Sequence, residues 1–247
     1  MPRLRDVTVA DSIDLVNSLK AVQGRDTVEE VAQAFTEIMY SRFQESIVLI
    51  RLFVTVPFGE LPVPNKQSVT ALAGSAGITD ILNDTTPVLS LLGTQGILPE
   101  WNDRRKSEGH VGIPLASGDF IGSIPMMSRM LKELGAALDW IENGDTNIVA
   151  EEGLTPFSGT FYVGDAAGEV DQQGRKVIPA QDFVARHDVR TVFGFGGAYV
   201  TRTMFATIVV FTRETIEKNT VELLQPIVSA IKAASGEQAS QGRIFVD

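Results

Sequence analysis

The sequence predicts an α+β fold, with helices at both ends of the chain and strands between them, on three observations. Thr27 followed by Glu30 makes a capping-box pattern, and behind it Val28, Val31, Phe35, Ile38 and Met39 recur at helical spacing. Two long runs, "SIVLIRLFVTVPF" (46–58) and "AYVTRTMFATIVVFTR" (198–213), are dense in β-branched and aromatic residues, as buried strands are. A closing stretch from about 215 to 234 places Ile216, Leu223, Leu224, Ile227, Val228 and Ile231 on one helical face.

Taken in order, a short first helix carries Ile13, Val16 and Leu19, and the capped helix follows it. The strand at 46–58 is apolar at nearly every position, so both its faces are expected to be buried; "PFGELPVP" ends it, because proline cannot donate to a central ladder. "KQSVTALAGSAGITDIL" (66–82) reads as a helix of small residues, "PVLSLLG" (87–93) and "VGIPL" (111–115) as short strands. Ser123, with Pro125 in the first turn, starts a helix whose Ile124, Met127, Leu131, Leu134 and Leu138 form one face. "ENGDTNIVAEEGLTP" (142–156) is acidic and turn-rich, a mobile insertion by composition. "GTFYVG" (159–164) is a strand, "DAAGEVDQQGRK" a polar loop, and "VIPAQDFVARHDV" holds one short helix before the strand "RTVFGFG". Gly196 and Gly197 read as a hairpin turn into the long strand 198–213. Pro226 is expected to kink the closing helix, since it removes a backbone donor and crowds the preceding turn. The tail "GEQASQGRIFVD" begins with disorder-prone residues and ends on an apolar "IFV" able to dock.

Composition narrows the function. The net charge of −10 argues against nucleic-acid or anionic-membrane partners, which need a positive surface. With no cysteine in the chain, disulfides, thiolate metal sites and cysteine nucleophiles are excluded, which fits a reducing cytoplasm. The N-terminus has no apolar core of signal-peptide length, and no apolar run approaches a membrane span. The expectation is a cytoplasmic protein.

The order of helix, strand, variable middle, two antiparallel strands and closing helix resembles the GAF-like sensory domains. "VRTVFGFGGAYVTRTMFATIVVFTRETIEKNTVELLQPIVSAI" (189–231) is similar to the final two strands and terminal helix of that family, and "IPAQDFVARHDVRTVFGF" to its short helix-then-strand approach. The resemblance implies a central antiparallel sheet with the N- and C-terminal helices packed on one face and ligand-side helices and loops on the other. It also implies helix pairing between subunits, hence a homodimer, and an output protein partner. One domain over 1–247 is expected: N-terminal helices at about 8–43, a core at about 44–235 and a tail at 236–247, with insertions because the chain is long for the family. The chain departs from the family in lacking the cysteine of covalent bilin binders and the asparagine–lysine–phenylalanine–aspartate–glutamate set of cyclic-nucleotide binders.

Several motifs are weighed for chemistry. "GFGG" (194–197) is no dinucleotide fingerprint, because strand rather than helix follows it. "AGSAG" (73–77) lacks the strand–elbow–helix setting of a serine nucleophile, and Asp165, Glu169, Asp171 and Asp182 lack the calcium-loop pattern. His110 and His187 are the only imidazoles, each able to shuttle a proton, and neither stands at metal-ligand spacing. Met126, Met127 and Met130 with Phe120 suit a pocket wall or an irregular core.

The most informative polar stretch is "PEWNDRRKSEGH" (99–110). Trp101 has reason to pack onto the body and pin the segment. That leaves Arg104 or Arg105 free to turn inward, with Asp103 as its partner; the guanidinium fork suits a carboxylate or phosphate. The segment reads as a structured lid or rim. The candidate ligand-binding set is Trp101, Asp103, Arg104, Arg105, His110, Met127, Tyr162, Asp182, Phe183, His187 and Phe193; Phe161 and Phe195 are further aromatic candidates, and strand alternation allows only some of these to face a ligand. The functional expectation is a non-enzymatic sensory or regulatory domain that binds a small molecule and signals through dimer-helix packing, with the cofactor unknown. Two alternatives stand beside it: a hydrolase or other enzyme using His110 or His187 with a carboxylate, and an interaction scaffold with a degenerate pocket.

Overall fold

The computed structural model describes residues 2–107, 109–135, 158–199 and 204–246. Its centre is a six-stranded sheet in the order β3-β2-β1-β6-β5-β4, antiparallel throughout. The strands are β1 (Ile47–Pro57), β2 (Pro87–Gly96), β3 (Gly112–Pro114), β4 (Ser158–Val163), β5 (Thr191–Ala198) and β6 (Phe205–Thr212).

Period-two alternation divides the core into two layers. On one face, here called proximal, Ile50, Leu52 and Val54 of β1, Phe193 and Phe195 of β5, and Ile208 and Val210 of β6 meet the terminal helices. Those helices are α1 (Val9–Ser18), α2 (Val28–Arg42), α7 (Lys218–Glu222) and α8 (Pro226–Ser240). On the distal face, Val48 and Phe53 of β1, Leu89 and Leu91 of β2, Phe161 and Val163 of β4, and Val209 of β6 meet α4 (Gly118–Gly122), α5 (Pro125–Glu133) and α6 (Gln181–Arg186). A further helix, α3 (Val63–Ala76), lies against the edge strand β3. β1 is therefore a middle strand of a three-layer structure, which is why its sequence is apolar at nearly every position.

The capping box at Thr27 forms as expected: Thr27 Oγ1 accepts from the Glu30 backbone N–H, and Glu30 accepts from the Thr27 N–H. Other expectations need correction. Ile13 points outward, 57% exposed, and Ser12 and Leu15 take the inner face of α1. The helix around 66–82 starts earlier, at Val63, and stops at Ala76 because Gly77 adopts a left-handed conformation (φ 69°). Ser123 does not start α5; its hydroxyl closes α4 by donating to the Phe120 carbonyl, and Pro125 is the first residue of α5 after Ile124. Met127, Leu131 and Leu134 of the expected α5 face are buried, whereas Leu138 and the 142–156 segment lie outside the described residues.

The glycine hairpin is also corrected. β5 runs through Gly194, Gly196 and Gly197, which pair with Val209, Thr207 and Ala206, so the reversal falls after Ala198 and the long strand begins at Phe205. The glycines serve close approach instead: a Cβ at Gly196 would meet Leu134 Cδ1 at 2.7 Å and the Phe205 ring at 2.5 Å. Pro226 does not kink a long helix either. It stands at the first turn of α8, where its missing N–H costs nothing, and a turn at 223–225 separates α8 from α7. The tail residues Gly236–Ser240 belong to α8, and the "IFV" end docks, with Ile244 buried.

Candidate functional site

The distal layer is filled by its own side chains over most of the sheet. Phe120, Met127 and Met130 are part of that filling, each under 8% exposed, so the methionine cluster is core. One cleft remains among the pockets of the described residues that brings several of the sequence candidates together. It measures about 720 Å³ and is lined by Leu98, Glu100, Trp101, Pro179, Ala180, Gln181, Asp182, Phe183, Arg186 and His187.

Two local structures build it. One is the segment leaving β2, where a single 3-10 turn, Pro99–Trp101, delivers the indole inward. Asn102 holds this turn by accepting the Gly96 N–H at Oδ1 (2.8 Å). Gln33 of α2 clamps it from the other side, donating to the carbonyls of Thr94 and Asn102 and accepting the Thr94 N–H. Gly96 leaves the space the ring needs, since a Cβ there would lie 2.8 Å from Trp101 Cε3. The other structure is α6. Val184 buries its inner side, and Gln181 ties its first turn to the Ala166 and Ile178 carbonyls. Asp188, in the left-handed region at φ 54°, ends it.

Phe183 and His187, four residues apart, share one face of α6. With Trp101 they form a three-ring floor whose centroids lie 5.1–5.7 Å apart at steep mutual angles, backed by Phe211 at 5.4 Å from Phe183. Around this floor stand Glu100, Asp182, Arg186 and the His187 nitrogens. Among the described residues none of these four side chains has a hydrogen bond or ion pair, and Asp182 and Arg186 leave each other unpaired despite i,i+4 spacing. The cleft therefore combines an apolar, ring-lined base with both signs of charge at its rim. The His187 pKa is lowered, first by burial and then by the charges of Arg186 and Arg213. At neutral pH its imidazole is uncharged and offers one donor and one acceptor.

The other candidates lie elsewhere. Arg104 does turn inward, and it meets a protein carboxylate: Nη2 donates to Glu29 Oε2 at 2.7 Å and Nη1 to Asn65 Oδ1 at 3.2 Å. Arg105 reaches Glu29 Oε1 at 3.0 Å from a more exposed position. Asp103 serves Arg105 rather than Arg104, accepting its backbone N–H and standing 3.7 Å from its guanidinium. His110, the last residue of the segment, has an exposed surface outside the cleft; its pKa is lowered by partial desolvation of the ring against neighbouring atoms and then by the charge of Arg51. Tyr162 and Phe193 face the proximal layer, where the Tyr162 hydroxyl donates to the Ile216 carbonyl. Neither histidine is hydrogen-bonded to a carboxylate or hydroxyl among the described residues.

Glu100, Arg186 and Gln181 were not singled out in the sequence. Arg186 carried a usable signal: Asp182/Arg186 and Phe183/His187 form two i,i+4 pairs in one short helix, the signature of a helix with an aromatic side and a charged side.

No protein-family model and no curated relative matches this chain. Solved structures do resemble it. One is the phycoerythrobilin-bound GAF domain from a cyanobacterial phytochrome, 10% identical, with 96% of this chain and 96% of that one covered and a TM-score of 0.44. Another is free methionine-R-sulfoxide reductase from Neisseria meningitidis in complex with its substrate, at 9% identity, 94% and 93% coverage and a TM-score of 0.47. A third is a GAF domain at 10% identity, 95% and 92% coverage and a TM-score of 0.44.

Proposed function

We propose that this chain is a sensory or regulatory domain that binds a small molecule without covalent attachment and carries out no reaction on it. The observation behind this reading is the cleft: a packed aromatic floor beside polar groups that have no hydrogen-bond or ion-pair partner among the described residues, the usual composition of a ligand site. The ligand that suits it has a flat apolar face for the rings and polar groups for Glu100, Asp182, Arg186 and His187.

Residues 1–247 then act as one domain in a reducing cytoplasm. Binding selects one packing of α2 against α8 on the proximal layer, and a homodimer joined through these helices passes the difference to an output partner. Among the described residues neither histidine has a hydrogen-bonding partner to orient it as a base, so no observation there favours the hydrolase alternative.

The test is a thermal-shift screen of the full chain against a broad metabolite library, repeated on Phe183→Ala and His187→Ala. A ligand that stabilises the parent and loses its effect in both variants supports the reading. Ligands that stabilise all three proteins equally would place binding elsewhere, and silence across the library would leave the interaction scaffold as the better description.

A further inference from the structure

An α-helix begins with four backbone N–H groups that lack partners within the helix. In α2 the capping box satisfies two of them: Glu30 N–H donates to Thr27 Oγ1 and Thr27 N–H to Glu30 Oε2. The other two are supplied from the far end of the chain. Val28 N–H donates to the Arg243 carbonyl at 3.0 Å, and Glu29 N–H to the Ile244 carbonyl at 2.9 Å.

The same tail returns a donor. Val246 N–H reaches Glu29 Oε2 at 2.9 Å, the oxygen that also accepts from Arg104, and Phe245 lies beneath the Arg104 guanidinium at 5.2 Å. Glu29 is 4% exposed and Arg104 7%. A carboxylate this buried is held by its donors alone, and one of them belongs to the tail. Arg104 in turn stands three residues after Trp101, in the segment that carries the indole into the cleft floor.

We infer that residues 243–246 form a latch that positions Trp101 through the Glu29–Arg104 pair. With the tail docked, Arg104 is fixed between Glu29, Asn65 and the Phe245 ring, and the 99–107 segment is pinned with it. With the tail away, Glu29 loses a donor, Arg104 loses the ring beneath it, and the segment gains freedom at the end where the cleft has its floor. Because coupling between two sites is reciprocal, whatever steadies the floor also favours the docked tail. The latch concerns the position of the floor, so it stands or falls separately from the ligand reading.

The test uses the full chain with Trp140→Phe, which leaves Trp101 as the single tryptophan. Ile244→Asp is made to expel the tail, and Phe245→Ala to remove only the ring. Acrylamide quenching of Trp101 and amide exchange are then measured. The expected result is stronger quenching, with Val28, Glu29, Trp101 and Asn102 amides exchanging about tenfold faster or more while β1 amides keep their protection. Fast exchange at Val28 and Glu29 with Trp101 quenching unchanged would overturn the latch. So would loss of β1 protection in step with Trp101 in both variants, because the tail would then be ordinary core.

Discussion

Glu29 and Arg104 stand 75 residues apart in the chain and hold each other at 2.7 Å in the interior. Each has further partners, Arg105 and the Val246 N–H for the acid, Asn65 and Phe245 for the base. Arg104 Nε is buried without a partner among the described residues, so the pair is weak evidence for stability over an apolar core, yet breaking one half leaves a charge buried alone. Glu29→Gln is therefore expected to destabilise the protein by about 3 kcal/mol or more. Glu29→Met combined with Arg104→Met should recover much of that loss. Urea unfolding of Glu29→Met, Arg104→Met and the double variant measures the coupling; additive losses would mean the pair is not the unit described here.

Both histidines have lowered pKa values, so the unfolded chain takes up protons at a higher pH than the folded one. Their contribution to stability is complete above the ordinary value of 6.5 and is lost as pH falls below it. Urea midpoints should drop between pH 7 and pH 5, more gently in His187→Gln. A slope unchanged by both His187→Gln and His110→Gln would show that carboxylates alone set the pH response.

Trp101 and His187 lie 5.1 Å apart, ring to ring. In the Trp140→Phe chain, emission should fall as the imidazole becomes charged, with a midpoint below 6.5. His187→Gln should abolish the transition, whereas His110→Gln should leave it in place.

Two glycines should respond in opposite directions. A Cβ at Gly159 would press on the backbone of α5, within 2.4 Å of the Glu133 carbonyl oxygen, which cannot swing aside as a side-chain tip can. Gly159→Ala should cost about 1–3 kcal/mol. Gly236, inside α8, has open space around the same position, and Gly236→Ala should stabilise by up to about 1 kcal/mol. Thermal unfolding of both variants provides the check.

Much of this molecule could be read before folding. The Thr27 cap, the doubly buried strand at 47–57 and the short helix before β5 are all local statements, carried by side-chain period and backbone donors. The errors share a cause as well. Gly196 and Gly197 have turn chemistry, but the paired strand and the nearby Leu134 and Phe205 decide their conformation. Pro226 is compatible with a kink or a start, and only the chain before it chooses.

The same division holds for the site. Trp101, Asp182, Phe183 and His187 could be named from residue type, and they do meet in one cleft. Tyr162 and Phe193 could not be told from them, because alternation assigns a residue to a face without saying which face is which. That Arg104 or Arg105 could turn inward was legible, but not which of the two, and the carboxylate that Arg104 meets comes from a helix far away in sequence. What the sequence determined by itself was which segments are helix or strand and which residues have the chemistry to matter. Tertiary structure alone decided their partners, because a charge or a ring is satisfied by whatever the fold brings within a few ångströms, and that proximity is written in no local pattern.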